Sequence, residues 1–172
     1  GGMIGGLVAL KVDPNIMAKL AGQRMSMIVT GTNGKSTTTR MAANALRTAY
    51  TVATNDGGDN MDAGIVSALN QDLDADAICL EVDEMHVPHV MDALSPTVLV
   101  LLNLSRDQLD RVGEINTIER RLREAVAAHP DTIVVANCDD MMVTSAAYDA
   151  KNVIWVSTGG GWANDATTSP RN

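Results

Sequence analysis

The chain has 172 residues, a formal net charge of -8, 45% hydrophobic residues and only 2% aromatic residues, with no Phe. Its length suits one domain with a buried core, and that core has to rest on Val, Ile, Leu, Met and Ala. The acidic balance excludes broad electrostatic binding to nucleic acid or anionic lipid, which need a basic face, but it leaves room for a small anion held by a local cluster of donors.

In chain order, residues 1–24 open with the glycine-rich GGMIGGLVALKVDPNIMAKLAG, which ends in a short helical pattern. They are expected to form an N-terminal lead-in segment packed on the domain. Short apolar runs follow: MSMIVTG (25–31), TVATN (51–55), AICLEVD (77–83), TVLVLLN (97–103), TIVVAN (132–137) and NVIWVS (152–157). They are rich in Val and Ile and are continuously apolar, as strands buried on both faces of a parallel sheet are. Between them lie helical patterns, clearest over 35–49 and 115–129, with apolar positions three and four apart. The alternation predicts an α/β fold over residues 25–158: a doubly wound, mostly parallel sheet with helices on both faces and ligands at the carboxyl ends of its strands. Residues 159–172 lose all apolar period. They read as a loop leading into a missing part, so the chain is expected to be a truncated piece. Cys79 and Cys138 read as two buried thiols, with no zinc spacing and no disulfide framework. With no signal peptide and no apolar run long enough to cross a bilayer, a cytoplasmic location is expected.

The stretch TGTNGKSTTT (30–39) directly follows the first apolar run. After a strand, the N–H groups of Gly31, Thr32, Asn33, Gly34, Lys35, Ser36 and Thr37 can line one concavity, and the positive end of the next helix adds to it. Phosphate oxygens fit such a cradle. Lys35 would bridge the outer phosphates of a nucleotide, and the Ser36 hydroxyl would bind Mg2+. The spacing is tighter than G-x-x-x-x-G-K-[ST], which would want glycine where Val29 stands. The plain alternative is a glycine turn with a capping hydroxyl.

Other polar groups fall at strand ends. Glu81 and Asp83 close the third run, with Glu84 next. A carboxylate leaving an apolar strand needs a cation or donors, and a Mg2+ held by Ser36 is a candidate partner for Glu81. The alternative is a solvated acidic cluster capping the next helix. NLSRDQLDR (103–111) is delivered toward the same cleft. In NCDD (137–140), Asn137 can hydrogen-bond a base edge, whereas Asp139 or Asp140 can equally cap a helix. His86 and His89 read as surface helix residues.

GTNGKSTTT, LEVDE, NLSRDQLD and NCDD, in this order, resemble the ATP-binding central domain of the Mur ligase family. The opening GG…LVALKVDPNI and the loop TNDGGDNMDAG resemble its MurT branch. That resemblance implies an ATP-dependent carbon–nitrogen ligase of peptidoglycan synthesis. Such an enzyme activates the α-carboxyl of D-glutamate in the lipid II stem peptide as an acyl phosphate, then amidates it to D-isoglutamine. The ammonia comes from a GatD-like glutamine amidotransferase partner, and the site is cytoplasmic, at the inner face of the membrane. Carried over by motif, Lys35 and Glu81 are the catalytic candidates and residues 31–37 hold ATP. Ser36 and Glu81 ligate Mg2+, and Asn137 and Asp140 lie near the adenosine. Asn55 and Asn60 belong to the substrate loop, joined by Arg106 and Gln108, with Arg106 and Arg111 as candidate contacts for substrate anions.

The chain also departs from the family pattern. Gln108 stands where many members carry a metal-binding histidine, which agrees with the MurT branch. Asp59 stands where a small residue is expected. The four cysteines of a zinc ribbon found in some members are missing, so no zinc is expected. The family's C-terminal domain is not represented, so the piece alone is expected to be inactive. Two rivals are another Mur-type ligase, such as a folylpolyglutamate synthase relative, and a non-catalytic P-loop nucleotide-binding domain.

Overall fold

The structure, a computed structural model, describes residues 2–55, 59–104, 112–160 and 171. The described elements alternate as expected. In chain order they are α1 (Gly2–Val12), α2 (Ile16–Ala21), β1 (Met25–Thr30), α3 (Lys35–Leu46), β2 (Val52–Ala53), α4 (Asp62–Gln71), β3 (Ala77–Glu81), α5 (Val87–Leu94), β4 (Val98–Leu101), α6 (Val112–Ala128), β5 (Ile133–Asn137), α7 (Met141–Ala147) and β6 (Val153–Val156). Each strand sits inside one of the six apolar runs, trimmed by one to three residues.

The strands form one sheet in the order β2-β3-β1-β4-β5-β6, and every neighbouring pair is parallel. From β1 the chain winds to one side to reach β2; from β4 it winds to the other side to reach β5. The crevice between the carboxyl ends of β1 and β4 is therefore the switch point, where doubly wound sheets bind ligands.

Register divides the strand residues between two faces. Ile28, Ile78, Leu80, Leu99, Leu101, Val134 and Ala136 point to one side, where α2, α4, α5, α6 and α7 bury them in a single core. Each fully buried Ile, Leu or Val side chain there contributes about 1.5–3 kcal/mol. On the other side, Met27, Val52 and Cys79 pack against Ala42, Ala43 and Leu46 of α3. Helices therefore cover both faces, but unequally. Among the described residues, the cover on the α3 side does not extend to the far half of the sheet. Ile133, Ile154 and Val156 are exposed there, and Val98, Val100 and Val135 are half-buried.

This corrects the reading of NVIWVS as a strand buried on both faces. It is an edge strand among the described residues, with Ile154 54% and Trp155 40% exposed. Cys138 is likewise not buried: its Sγ lies 3.4 Å from the Val156 carbonyl at a half-exposed position, whereas Cys79 is fully buried.

The glycine-rich opening also differs from expectation, because it is helical from Gly2 onward. Glycine normally weakens a helix, but here it permits a close crossing. A Cβ on Gly6 would stand 2.0 Å from the Ala63 carbonyl oxygen of α4. Arg24 then fastens the lead-in helices to the sheet. Its guanidinium donates to the carbonyls of Leu20 and Ala21 at the end of α2, and to those of Asp72 and Ala75 before β3.

Candidate functional site

The switch crevice is built by the loop leaving β1. Gly31 has φ +140° and Gly34 φ +85°, conformations that L side chains rarely adopt. At Gly31 there is also no room: a Cβ would lie 2.9 Å from the main-chain N and O of Asn103 and from Leu102 Cβ. The bare backbone lets the loop rest on the exit of β4. Leu102 N donates to Thr30 O at 3.0 Å and Thr32 N to Asn103 O at 2.8 Å. The Asn103 side chain clasps Asn33 both ways, accepting from its N–H at 2.9 Å and donating to its carbonyl at 2.8 Å. α3 starts right after the loop with no side-chain cap and no acidic residue in its first turn. Its positive end and the exposed Ser36 and Thr37 stand over the crevice as an anion-accepting terminus.

Lys35 is folded back on this loop. Its ammonium donates to Gly31 O at 2.6 Å and Thr32 O at 3.3 Å, and lies 3.5 Å from Glu84 Oε2. The two side chains are 13% and 10% exposed, so the pair is largely shielded from water.

Glu81 ends β3 on the same face of the sheet as Cys79, the face covered by α3, and is 5% exposed. Its carboxylate receives the Asn60 amide at 3.3 Å and has no Lys or Arg partner among the described residues. A buried carboxylate with one neutral donor suits a cation. No group of three or more His, Cys, Asp and Glu could cage a metal among the described residues. The lone buried carboxylate of Glu81 suits Mg2+, which commonly takes one or two carboxylates and completes its shell with water and phosphate oxygens.

Asn55 is buried and bonded to the main chain. Its Oδ1 accepts from Glu81 N at 2.8 Å, and its Nδ2 donates to Glu81 O at 2.7 Å and Asp59 O at 3.0 Å. Asn60 O accepts from Asp83 N at 3.0 Å. The described end of the loop after β2 is thus stitched to the exit of β3, with Asp59 packed on Gly64 at the start of α4. Asn137 Nδ2 donates to Leu102 O at 2.8 Å, while its Oδ1 accepts from Asp139 N at 3.0 Å. Asp140 caps α7, accepting from Met142 N and Val143 N through Oδ1, and its Oδ2 accepts from Leu104 N at 2.9 Å. Both residues hold the exits of β4 and β5 together on the far side of the crevice. Arg106, Gln108 and Arg111 lie outside the described residues. His86 and His89 flank Asp62, with ring nitrogens 2.9 and 3.6 Å from its carboxylate, at the surface between α4 and α5.

The structure thus gathers residues 31–37, Glu81, Asn55 and Asn60 at one end of the sheet. The candidate set lacked two residues of that assembly, Asn103 and Glu84. Asn103 had a legible signal, as a polar residue at the last position of a buried run. Glu84 was legible as part of the acidic cluster after the third run, but its pairing with Lys35 was not, because only the turn after β3 brings it back to Lys35.

The family model of the Mur ligase middle domain matches residues 29–168. This chain belongs to the Mur ligase family. Among curated relatives, the MurT subunit of lipid II isoglutaminyl synthase (glutamine-hydrolyzing) from Streptococcus pneumoniae is 35% identical over 144 residues, 81% of this chain and 32% of that protein. The MurT subunit from Staphylococcus aureus is 32% identical over 154 residues, 87% of this chain and 35% of that protein. The chain spans about a third of the length of these relatives. Among solved structures, MurF ligase from Thermotoga maritima in complex with ADP superposes with a TM-score of 0.73 at 24% identity, over 87% of this chain and 37% of that one. MurF from Acinetobacter baumannii gives 0.69 at 21%, over 86% of this chain and 34% of that one. These likenesses show that the fold is that of a Mur ligase central domain.

Proposed function

We propose that this chain is the nucleotide-binding part of an ATP-dependent peptidoglycan ligase of the MurT type. The whole protein would activate the α-carboxyl of D-glutamate in the lipid II stem as an acyl phosphate. With a GatD-like glutaminase supplying ammonia, it would then form D-isoglutamine in the cytoplasm, at the inner face of the membrane. The observation that carries this reading is the glycine loop clasped by Asn103 beside the buried Glu81, which has no Lys or Arg partner among the described residues, in a chain whose curated relatives include MurT subunits.

On this reading the loop amides and the first turn of α3 receive the phosphates, and Lys35 leaves the carbonyls of Gly31 and Thr32 to bridge the outer ones. Ser36 and Glu81 would hold Mg2+, which neutralises charge at the transferring phosphoryl group when bound. Asn60, through its bond to Glu81, orients that carboxylate. Asn137 and Asp140 set the adenosine end of the cleft. Arg106 and Gln108 belong with the substrate end. Phosphoryl transfer asks the protein for position and charge more than for a covalent group, and these residues supply both.

Calorimetry of ATP·Mg2+ with the native chain and with Lys35→Ala tests the site. Removing a lysine that meets phosphate in a shielded pocket should weaken binding by about 2–4 kcal/mol. An unchanged isotherm would remove the lysine from the site. The substrate assignment is separate. Incubated with a GatD-type partner, glutamine, ATP and lipid II, the 172-residue chain alone should give no amidated product, and a longer polypeptide carrying the remaining two thirds of its relatives' length should give it. Labelled amino acid in the product, in place of labelled ammonia, would point to a Mur-type ligase that adds amino acids.

A further inference from the structure

We propose that Glu84 makes this site selective for metal-bound nucleotide over metal-free nucleotide, an inference that rests on the nucleotide-binding reading above. The observation is the shielded pair formed by Glu84 and Lys35, with the ammonium also held by two carbonyls of its own loop. Without a ligand, Glu84 is the counter-charge of Lys35. Once a triphosphate draws Lys35 toward its outer oxygens, Glu84 loses that compensation and faces a polyanion across a cleft that screens charge poorly. Glu81, three residues earlier and buried beside the same loop, adds a second negative group. Metal-free triphosphate therefore meets two carboxylates balanced by one lysine. A nucleotide that arrives with a divalent cation brings the missing positive charge.

The two glutamates differ in this respect. Glu81 is fixed through the main-chain bonds of Asn55 and the side-chain amide of Asn60, independently of Lys35. Glu84 is held by Lys35 itself, so its energetic role changes as soon as Lys35 moves. It acts through repulsion: it need not touch the metal to exclude nucleotide that lacks one.

The test is calorimetry or fluorescent-nucleotide titration of the whole chain, comparing ATP with Mg2+ against ATP with EDTA. The native chain should bind the metal complex and discriminate strongly against free ATP. Glu84→Gln should tighten binding of metal-free ATP by about tenfold, because the like charge is gone, and so shrink the ratio of the two dissociation constants. Glu84→Asp, which keeps the charge, should keep most of the discrimination, and it serves as the second variant if Glu84→Gln unfolds. Glu81→Gln should instead weaken the metal complex. A native chain that binds no ATP in either buffer would overturn the nucleotide reading and this inference with it. A native chain that binds ATP·Mg2+, with the same ratio in Glu84→Gln or with the ratio lost in Glu84→Asp, would overturn the role of Glu84 alone.

Discussion

The two halves of the sheet differ on the side where α3 packs. Around β2, β3 and β1 that side is largely closed: Cys79 and Val29 are fully buried, Ala43 of α3 sits directly on the cluster, and exposure returns at Met25, where β1 begins. Across β4, β5 and β6 it is open, with Ile133, Ile154 and Val156 exposed. All six strands nevertheless come from short runs that read alike as continuously apolar. The shared pattern reports what a strand is able to bury, and a strand's neighbours decide whether it does. The closed half also carries the site, since Gly31 and Lys35 leave β1 and Glu81 ends β3. A ligand-holding loop gains precision from rigid support beneath it, and among the described residues this half has support on both faces.

The sharpest way to break the distinction is at the seam, where the loop after β1 rests on the exit of β4. Gly31→Ala adds a Cβ 2.9 Å from main-chain atoms of Asn103 at a φ of +140°. Neither the backbone nor the strand end can yield cheaply. The expected cost is about 3 kcal/mol or more, from strain together with overpacking. Chemical denaturation checks this, and nucleotide binding should fall along with stability. An alanine variant of native stability would mean that the loop is not seated on Asn103.

A matched pair sharpens the comparison itself. Val29→Thr and Ile154→Thr each place a hydroxyl on the α3 side of the sheet, one in each half. At Val29 the hydroxyl enters a fully buried position, and the loss should be about 1–3 kcal/mol. At Ile154, 54% exposed, the change should stay within about 0.5 kcal/mol. Equal losses in urea melts would show that the far half is covered in solution, and the asymmetry would disappear.

Much of the fold was legible because period is a local property. The six apolar runs and the helices between them reflect side-chain spacing along the chain, and each strand appears inside its run. What was not legible depends on non-local neighbours. Exposure of β6 follows from how little packs on it among the described residues, which no spacing encodes; β2, at the opposite edge, is buried. The helix over the opening glycines follows from Ala63 of α4 crossing against Gly6. In the site, the glycine loop and Glu81 could be read because strand ends are where such sheets present chemistry. The main-chain role of Asn55 could not, since it requires knowing that β2 runs beside β3. The Lys35–Glu84 pair was hidden for the same reason, since a turn of three residues decides which carboxylate faces the lysine.

The smallest expected effect lies at the open edge, where a carboxylate does the fastening that packing does elsewhere. Asp139 accepts from Ser157 Oγ at 2.6 Å, from Thr158 N at 2.7 Å and Thr158 Oγ1 at 2.9 Å, and from Gly160 N at 3.3 Å. The Ser157 hydroxyl first, then the Thr158 amide, hold its carboxyl well below the usual carboxylate range. A depressed folded-state pKa means that the ionised form is the one stabilised. The contribution is therefore fully present above the unfolded value, about pH 4, and is lost as pH falls through the lower folded value. Asp139→Asn should loosen residues 157–160 at neutral pH, seen as faster amide exchange there than in β3, and should make little difference in acid. Exchange at those amides that is unchanged by the substitution at neutral pH would show that the edge is held by something other than this carboxylate.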